Sequence, residues 1–165
     1  MRSESPDARA WHEAGHALAA HLLGGVVREV TLESERDESE GHVAVEWSSA
    51  PAHESAMRSA MVALAGPVAE LVFRGEDVLD DPWELSTWRG DWDEAESQLS
   101  ELHPDEDQRE AARREILLKL YRAFGEADGY ESPARLADAL DAHGTLDEAL
   151  FDEAVGARPD PGAFG

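Results

Sequence analysis

The chain has 165 residues, a length that fits one domain, and 42% of them are hydrophobic, enough for a modest core. Acidic residues number 37 against 14 basic ones, a formal charge of −23; such a surface repels phosphate backbones and anionic lipids, so no nucleic-acid or membrane partner is expected. With no cysteine there is neither a disulfide framework nor a thiolate site, and any metal has to sit on His, Asp or Glu.

Met1 to Ala10 lacks the basic-then-apolar order of a signal peptide. The apolar stretch Ala14 to Val27 is short for a membrane span and carries His16 and His21, so a cytoplasmic location is the expectation. Ser5 reads as a cap and Pro6 as the first position of a helix running to about Leu23, stopped by Gly24 and Gly25. Val26 to Glu33 alternates as a strand does, with Val26, Arg28, Val30 and Leu32 on one side and Val27, Glu29 and Thr31 on the other. Gly41 to Trp47 is a second short strand through Val43, Val45 and Trp47. The two form a β-hairpin with a polar, mobile tip from Glu33 to Glu40.

Pro51 precedes a second long helix, Ala52 to Phe73, whose apolar residues Met57, Met61, Leu64, Val68 and Leu71 recur at spacings of three and four. Pro67 is expected to kink it and Gly75 to end it. Glu76 to Gly90 is a long loop rich in Asp, Trp and Ser, and a loop of that length suggests a functional role. Helices are expected from Asp91 to Leu102, Pro104 to Phe124, Pro133 to Ala142 and Leu146 to Val155, the last with Thr145 and Glu148 as a capping box. The expected architecture is one domain over residues 1–155, mainly α with a small β-hairpin or sheet, and a disordered tail over 156–165.

The chemistry is concentrated in His12-Glu13-Ala14-Gly15-His16. On a helix, His12 and His16 project from one face and can share an ion. Glu13 lies about 100° round the helix, where it can reach a water activated by that ion without being a ligand. This division between ligands and base suits hydrolysis. His21 lies nearly opposite His12 and is not a third ligand. The two histidines need a third protein ligand for a catalytic site, and Glu70, Asp91 and Asp93 are the candidates. His42, His53, His103 and His143 read as structural or solvated.

Ala10 to Gly24 followed by a hairpin, then Met61-Val-Ala-Leu-Ala-Gly-Pro-Val-Ala-Glu-Leu-Val-Phe-Arg-Gly75, then Gly90-Asp91-Trp92-Asp93-Glu94-Ala95, resembles the peptidase domain of FtsH-type AAA proteases. The similarity covers about Arg9 to Leu102. It implies that His12 and His16 bind Zn2+, that Glu13 is the catalytic base, and that the third metal ligand is Asp91, the aspartate at the start of a helix after the loop. Asp93 is the alternative by a shift of two, a simple helix N-cap is the structural alternative for Asp91, and Glu70 takes a supporting or packing role. The activity implied is that of a zinc metalloendopeptidase acting on polypeptides.

Departures from that family set limits. No Gly-x-x-x-x-Gly-Lys-Ser/Thr loop and no membrane anchor accompany the motif, so the expectation is a stand-alone domain that cuts flexible or unfolded chains or depends on a separate ATPase or unfoldase partner. Family members form rings, which makes an oligomer compatible with the resemblance. Ser86-Thr87-Trp88-Arg89-Gly90 replaces smaller residues, and Trp83, Trp88 and Trp92 either line a substrate cleft or pack the loop onto the core. The edge Gly41 to Trp47 either pairs with an extended substrate or is structural. The rival reading is a non-catalytic, zinc-braced module whose acidic surface binds a basic protein partner. A fourth metal position closed by a side chain such as His42 would mark that rival, and an open one an enzyme.

Overall fold

A computed structural model of the protein describes residues 6–32, 42–75 and 88–156. Among these residues it is mainly α, with six helices and one three-stranded antiparallel sheet. The expected cap at Ser5, the tip from Glu33 to Glu40, Trp83 and the tail beyond Gly156 lie outside the described residues.

Helix α1 (Pro6–Leu22) is the centre of the molecule. Ala10, Ala14, Ala17, Ala19 and Ala20 are fully inaccessible, and their small side chains let neighbours approach on several sides. The helix stops where Gly24 turns to φ 94° and the Gly25 N–H reaches back to the Ala20 carbonyl at 2.9 Å.

Strand β1 (Val26–Thr31) lies between β2 (His42–Glu46) and β3 (Thr145–Asp147), both antiparallel to it. The expected alternation along β1 does not hold. Its pairing with β2 passes from Val27↔Val45 to Glu29↔Ala44, leaving Arg28 in a bulge. One extra residue reverses the phase of the faces, so Val27 and Val30 both enter the core while Val26 is 41% exposed. Strand β3 is not legible in the sequence, since three residues carry no readable period. Thr145 belongs to that strand, with its Oγ1 2.7 Å from Thr31 Oγ1, and does not cap a helix. The cap of α6 (Glu148–Val155) is Asp147, whose Oδ1 accepts the Leu150 N–H at 2.8 Å.

Helix α2 (Ala52–Arg74) packs most extensively on α1. It runs through Pro67 as one element and closes at Gly75, whose φ of 72° favours glycine. By length and mean hydropathy (1.4) it could cross a bilayer, but most of that apolar window is buried inside the protein, as in a core helix. Helix α3 (Arg89–Leu102) lies along α2 through the buried Ala95 and Leu99. Helix α4 (Glu106–Gly125), capped by Asp105, presents Ile116, Leu117, Leu120 and Phe124 to the core.

Helix α5 (Ala127–His143) starts six residues before the expected Pro133, which sits buried inside it. A proline in a helix interior removes one hydrogen bond. Packing of Leu136 and Leu140 in the core between α1 and α4 outweighs that loss.

Candidate metal centre

The site forms where α1, α2 and α3 meet beneath β2. Two glycines allow the approach. A β-carbon on Gly15 of α1 would stand 2.5 Å from the Ala65 carbonyl oxygen and 2.6 Å from Ala69 Cβ, so a larger residue would push the helices apart. Gly66 of α2 acts in return: its missing side chain leaves room for Nε2 of both His12 and His16.

Nε2 of His12 lies 3.1 Å from Nε2 of His16 and 2.8 Å from Asp91 Oδ2, and His16 Nε2 lies 3.4 Å from the same oxygen. These are the edges of a small triangle. A tetrahedral zinc with bonds of about 2.0–2.1 Å has ligand atoms about 3.4 Å apart, so the triangle has nearly the size of one face of that tetrahedron, its shortest edge lying about 0.6 Å below it. Among the described residues His12, His16 and Asp91 are the group of side chains able to hold a metal ion.

The outer nitrogens explain why the inner ones converge. His12 Nδ1 donates to Glu70 Oε1 at 2.8 Å, and His16 Nδ1 donates to the Val62 carbonyl at 2.6 Å. A carbonyl can only accept, and so can an ionised carboxylate, so each Nδ1 carries the hydrogen. In the neutral rings both Nε2 lone pairs are then turned toward the Asp91 carboxylate. Three acceptors facing one point call for a cation, and fixing the tautomer through the outer nitrogen is how ligand histidines are oriented.

Glu70 is 1% exposed and firmly held. Its Oε1 also accepts the Trp88 indole N–H at 2.9 Å, and its Oε2 accepts from Arg74 Nη2 at 3.0 Å. The Arg74 guanidinium in turn lies 5.7 Å from the centre of the Trp88 ring. Trp88 therefore lines the cleft and also fastens α3 to α2 through Glu70. Trp92 packs instead against Arg113, 4.9 Å from its ring centre.

Asp91 reaches the histidines because α3 begins earlier than expected. Trp88 precedes the helix, and Asp91 falls in its first turn, so it is not the cap. Asp91, Ala95 and Leu99 form one stripe at spacings of four; the last two are buried, and Asp91 carries the stripe over the His pair. Asp93 points away and is exposed. The helix N-terminus also favours a carboxylate in this turn.

Burial by itself would lower the His12 pKa, but hydrogen bonds to Asp91 and Glu70 and the charges of Asp91 and Glu13 outweigh it, raising the value to about 10. Burial would raise Asp91, yet its contacts with His12 and His16 hold it well below the usual carboxylate range. Glu13, 9% exposed, is pushed up by burial, with the charges of His16 and His12 opposing. Glu13 lines the same cleft, of about 910 Å³, which is open to solvent.

His42 lies on the cleft wall, exposed, and is not among the atoms that meet. His53 and His143 are exposed, and His103 ends α3. His21 faces away from the site and packs edge-on against Phe151 at 5.5 Å.

Gly66 and the Val62 carbonyl are the parts of the site that the sequence did not single out. Gly66 carried a signal, because a glycine inside a long helix costs about 1 kcal/mol relative to alanine and needs a reason. A backbone carbonyl leaves no trace in a sequence. Scanned against protein-family models the chain matches none, and a search of curated proteins finds no matching sequence.

Proposed function

We propose that the protein is a zinc metallopeptidase with an FtsH-peptidase-like domain, acting in the cytoplasm on flexible or unfolded polypeptides. His12, His16 and Asp91 hold one zinc ion, and Glu13 is the catalytic base. The observation that carries this reading is the convergence of two Nε2 atoms and a carboxylate oxygen at the floor of an open cleft, with a buried glutamate beside them.

The His2Asp donor set also suits iron(II); the adjacent Glu13 favours a hydrolytic ion. Zinc bound there would lower the pKa of a water to about 7 and polarise a peptide carbonyl. Glu13 takes the proton of the attacking water on its carboxylate and delivers it to the amine nitrogen as the C–N bond breaks. Its raised pKa suits that exchange, since a more basic carboxylate accepts a proton more readily. Glu70 keeps His12 in the tautomer that presents Nε2, and the Val62 carbonyl does the same for His16. Edge strand β2 offers backbone groups for an extended chain. These 165 residues contain no nucleotide-binding loop of the Gly-x-x-x-x-Gly-Lys-Ser/Thr type.

Metal content and cleavage of an unstructured polypeptide test this reading together. The expected result is one zinc per chain, activity lost on chelation and restored by zinc, and a Glu13→Gln protein that keeps zinc but loses at least about 100-fold in rate. A Glu13→Gln protein as fast as wild type removes the base assignment. A zinc-loaded wild type that cleaves no polypeptide favours the non-catalytic module.

A further inference from the structure

We infer that Arg9 is the receptor for a carboxylate on the substrate, placed one to two residues from the scissile bond; the inference rests on the peptidase reading above. Two sources share that chemistry, a free C-terminus and an acidic side chain.

Five arginines among the described residues are half-buried: Arg9, Arg58, Arg74, Arg109 and Arg113. Arg58 pairs with Glu54, Arg74 with Glu70, and both Arg109 and Arg113 with Glu96. Arg9 alone of the five has no carboxylate within ion-pair distance among the described residues, although acids outnumber bases by 23 in the chain, 37 against 14. Its charge acts on Glu13, yet no carboxylate of the described residues is in contact with its guanidinium, and a half-buried cation without such a contact favours taking one.

Arg9 is also held in place. Its Nη2 donates to the Leu32 carbonyl at 2.8 Å, which tethers the guanidinium at the end of β1. The donors on Nε and Nη1 have no partner among the described residues. A tethered planar fork loses little freedom on taking a carboxylate, which is the advantage of arginine over lysine at such a site.

Its position sets the distance. Arg9 and Glu13 both line the cleft and sit four apart on α1. Residues so spaced have β-carbons about 5–6 Å apart. An extended chain advances about 3.3–3.6 Å per residue, so Arg9 meets the substrate one to two residues from the bond that Glu13 serves. Glu94 on the opposite wall accepts from Gln98 Nε2 at 2.9 Å, and Arg89, the second arginine of the cleft, is exposed. The overall charge repels anions, so the preference is local and shows as a difference between matched peptides.

The test uses zinc-loaded full-length protein and two peptide pairs, one differing only in C-terminal acid against amide, the other in an internal Glu against Gln near the cleavage point. Binding is read by calorimetry on short uncleaved peptides, and kcat/KM on longer ones. Wild type should favour one carboxylate form at least tenfold; Arg9→Met should abolish the preference and Arg9→Lys reduce it at least threefold, while Arg89→Met changes it less than threefold. Preference for the terminal acid identifies an exopeptidase, and preference for internal Glu an acidic-site endopeptidase. Equal treatment of both pairs by wild type, or a preference that survives Arg9→Met, overturns the inference. Should Arg9→Met fail to fold, wild type and Arg9→Lys decide it. Acid-selective binding without any cleavage would leave the receptor in place and remove the peptidase.

Discussion

Gly66 lies directly against His16: a β-carbon on it would collide with the Nε2 that the metal centre needs, and would stand 2.8 Å from Nε2 of His12. Helix α2 thus forms the floor of the site through the side chain it lacks. Gly66→Ala should weaken zinc binding by more than tenfold and destabilise the fold by about 1–3 kcal/mol, the usual penalty of overpacking. Gly90→Ala is the control, because nothing lies within 4 Å of its added β-carbon. Zinc titration and thermal melting of both variants check this; a Gly66→Ala protein with wild-type affinity would contradict it.

Metal stoichiometry separates the three candidate carboxylates. Asp91→Ala should lose tight zinc binding, since its Oδ2 contacts both histidines. Asp93→Ala should retain it. Glu70→Ala should bind about 10–100-fold more weakly, the usual cost of losing a hydrogen-bond partner behind a ligand. Retention of wild-type affinity by Asp91→Ala would show that another group completes the site.

Zinc binding should release a proton. His12 has its pKa raised from 6.5 to about 10, so it is protonated at pH 7.5 in metal-free protein, and a metal ligand must be neutral. Calorimetric titrations at pH 7.5 in buffers of different ionisation enthalpy should give about one proton released per zinc. The stability linkage has two signs. The raised His12 pKa stabilises metal-free protein fully below pH 6.5, and this is lost as pH rises through about 10. The depressed Asp91 pKa stabilises above 3.8 and fails as acid protonates it. Metal-free protein should therefore be most stable between these limits, and zero proton release would mean a neutral His12.

A second titration sits far from the metal. His21 Nε2 is a buried polar atom without a hydrogen-bond partner among the described residues, and burial lowers the His21 pKa while Asp152 opposes. Between the lowered value and 6.5 the unfolded chain binds more protons, so stability falls as pH drops below 6.5. His21→Leu should flatten that part of the stability curve, measured by urea unfolding at pH 5 and 7. An unchanged slope would show that His21 does not contribute.

The misread elements share a physical cause. The bulge at Arg28 changes the phase of β1 by one residue, and nothing in Val26 to Thr31 announces it, because it arises in the pairing of Val27 with Val45 and Glu29 with Ala44 of another strand. Asp147 caps α6 in place of Thr145 because β3 pairs with β1 and takes Thr145 into the sheet. Pro133 marks a helix start by local rule, yet α5 continues before it since its apolar face is packed. In each case a contact between distant segments overrides a local preference.

His12-Glu13-Ala14-Gly15-His16 is a local pattern, and the helical period alone puts its histidines on one face; the sequence by itself determined that much, together with the long helix α2 and the absence of thiolate ligands. Only the tertiary structure decided that Asp91, and neither Asp93 nor Glu70, meets the two Nε2 atoms. It also decided that Glu70, 58 residues from His12, fixes the ring tautomer with Trp88 and Arg74. The reason is range. Periodicity is set by neighbours along the chain, whereas the direction of a lone pair depends on which surfaces pack together, and that follows from the fit of Gly15 and Gly66 between two helices.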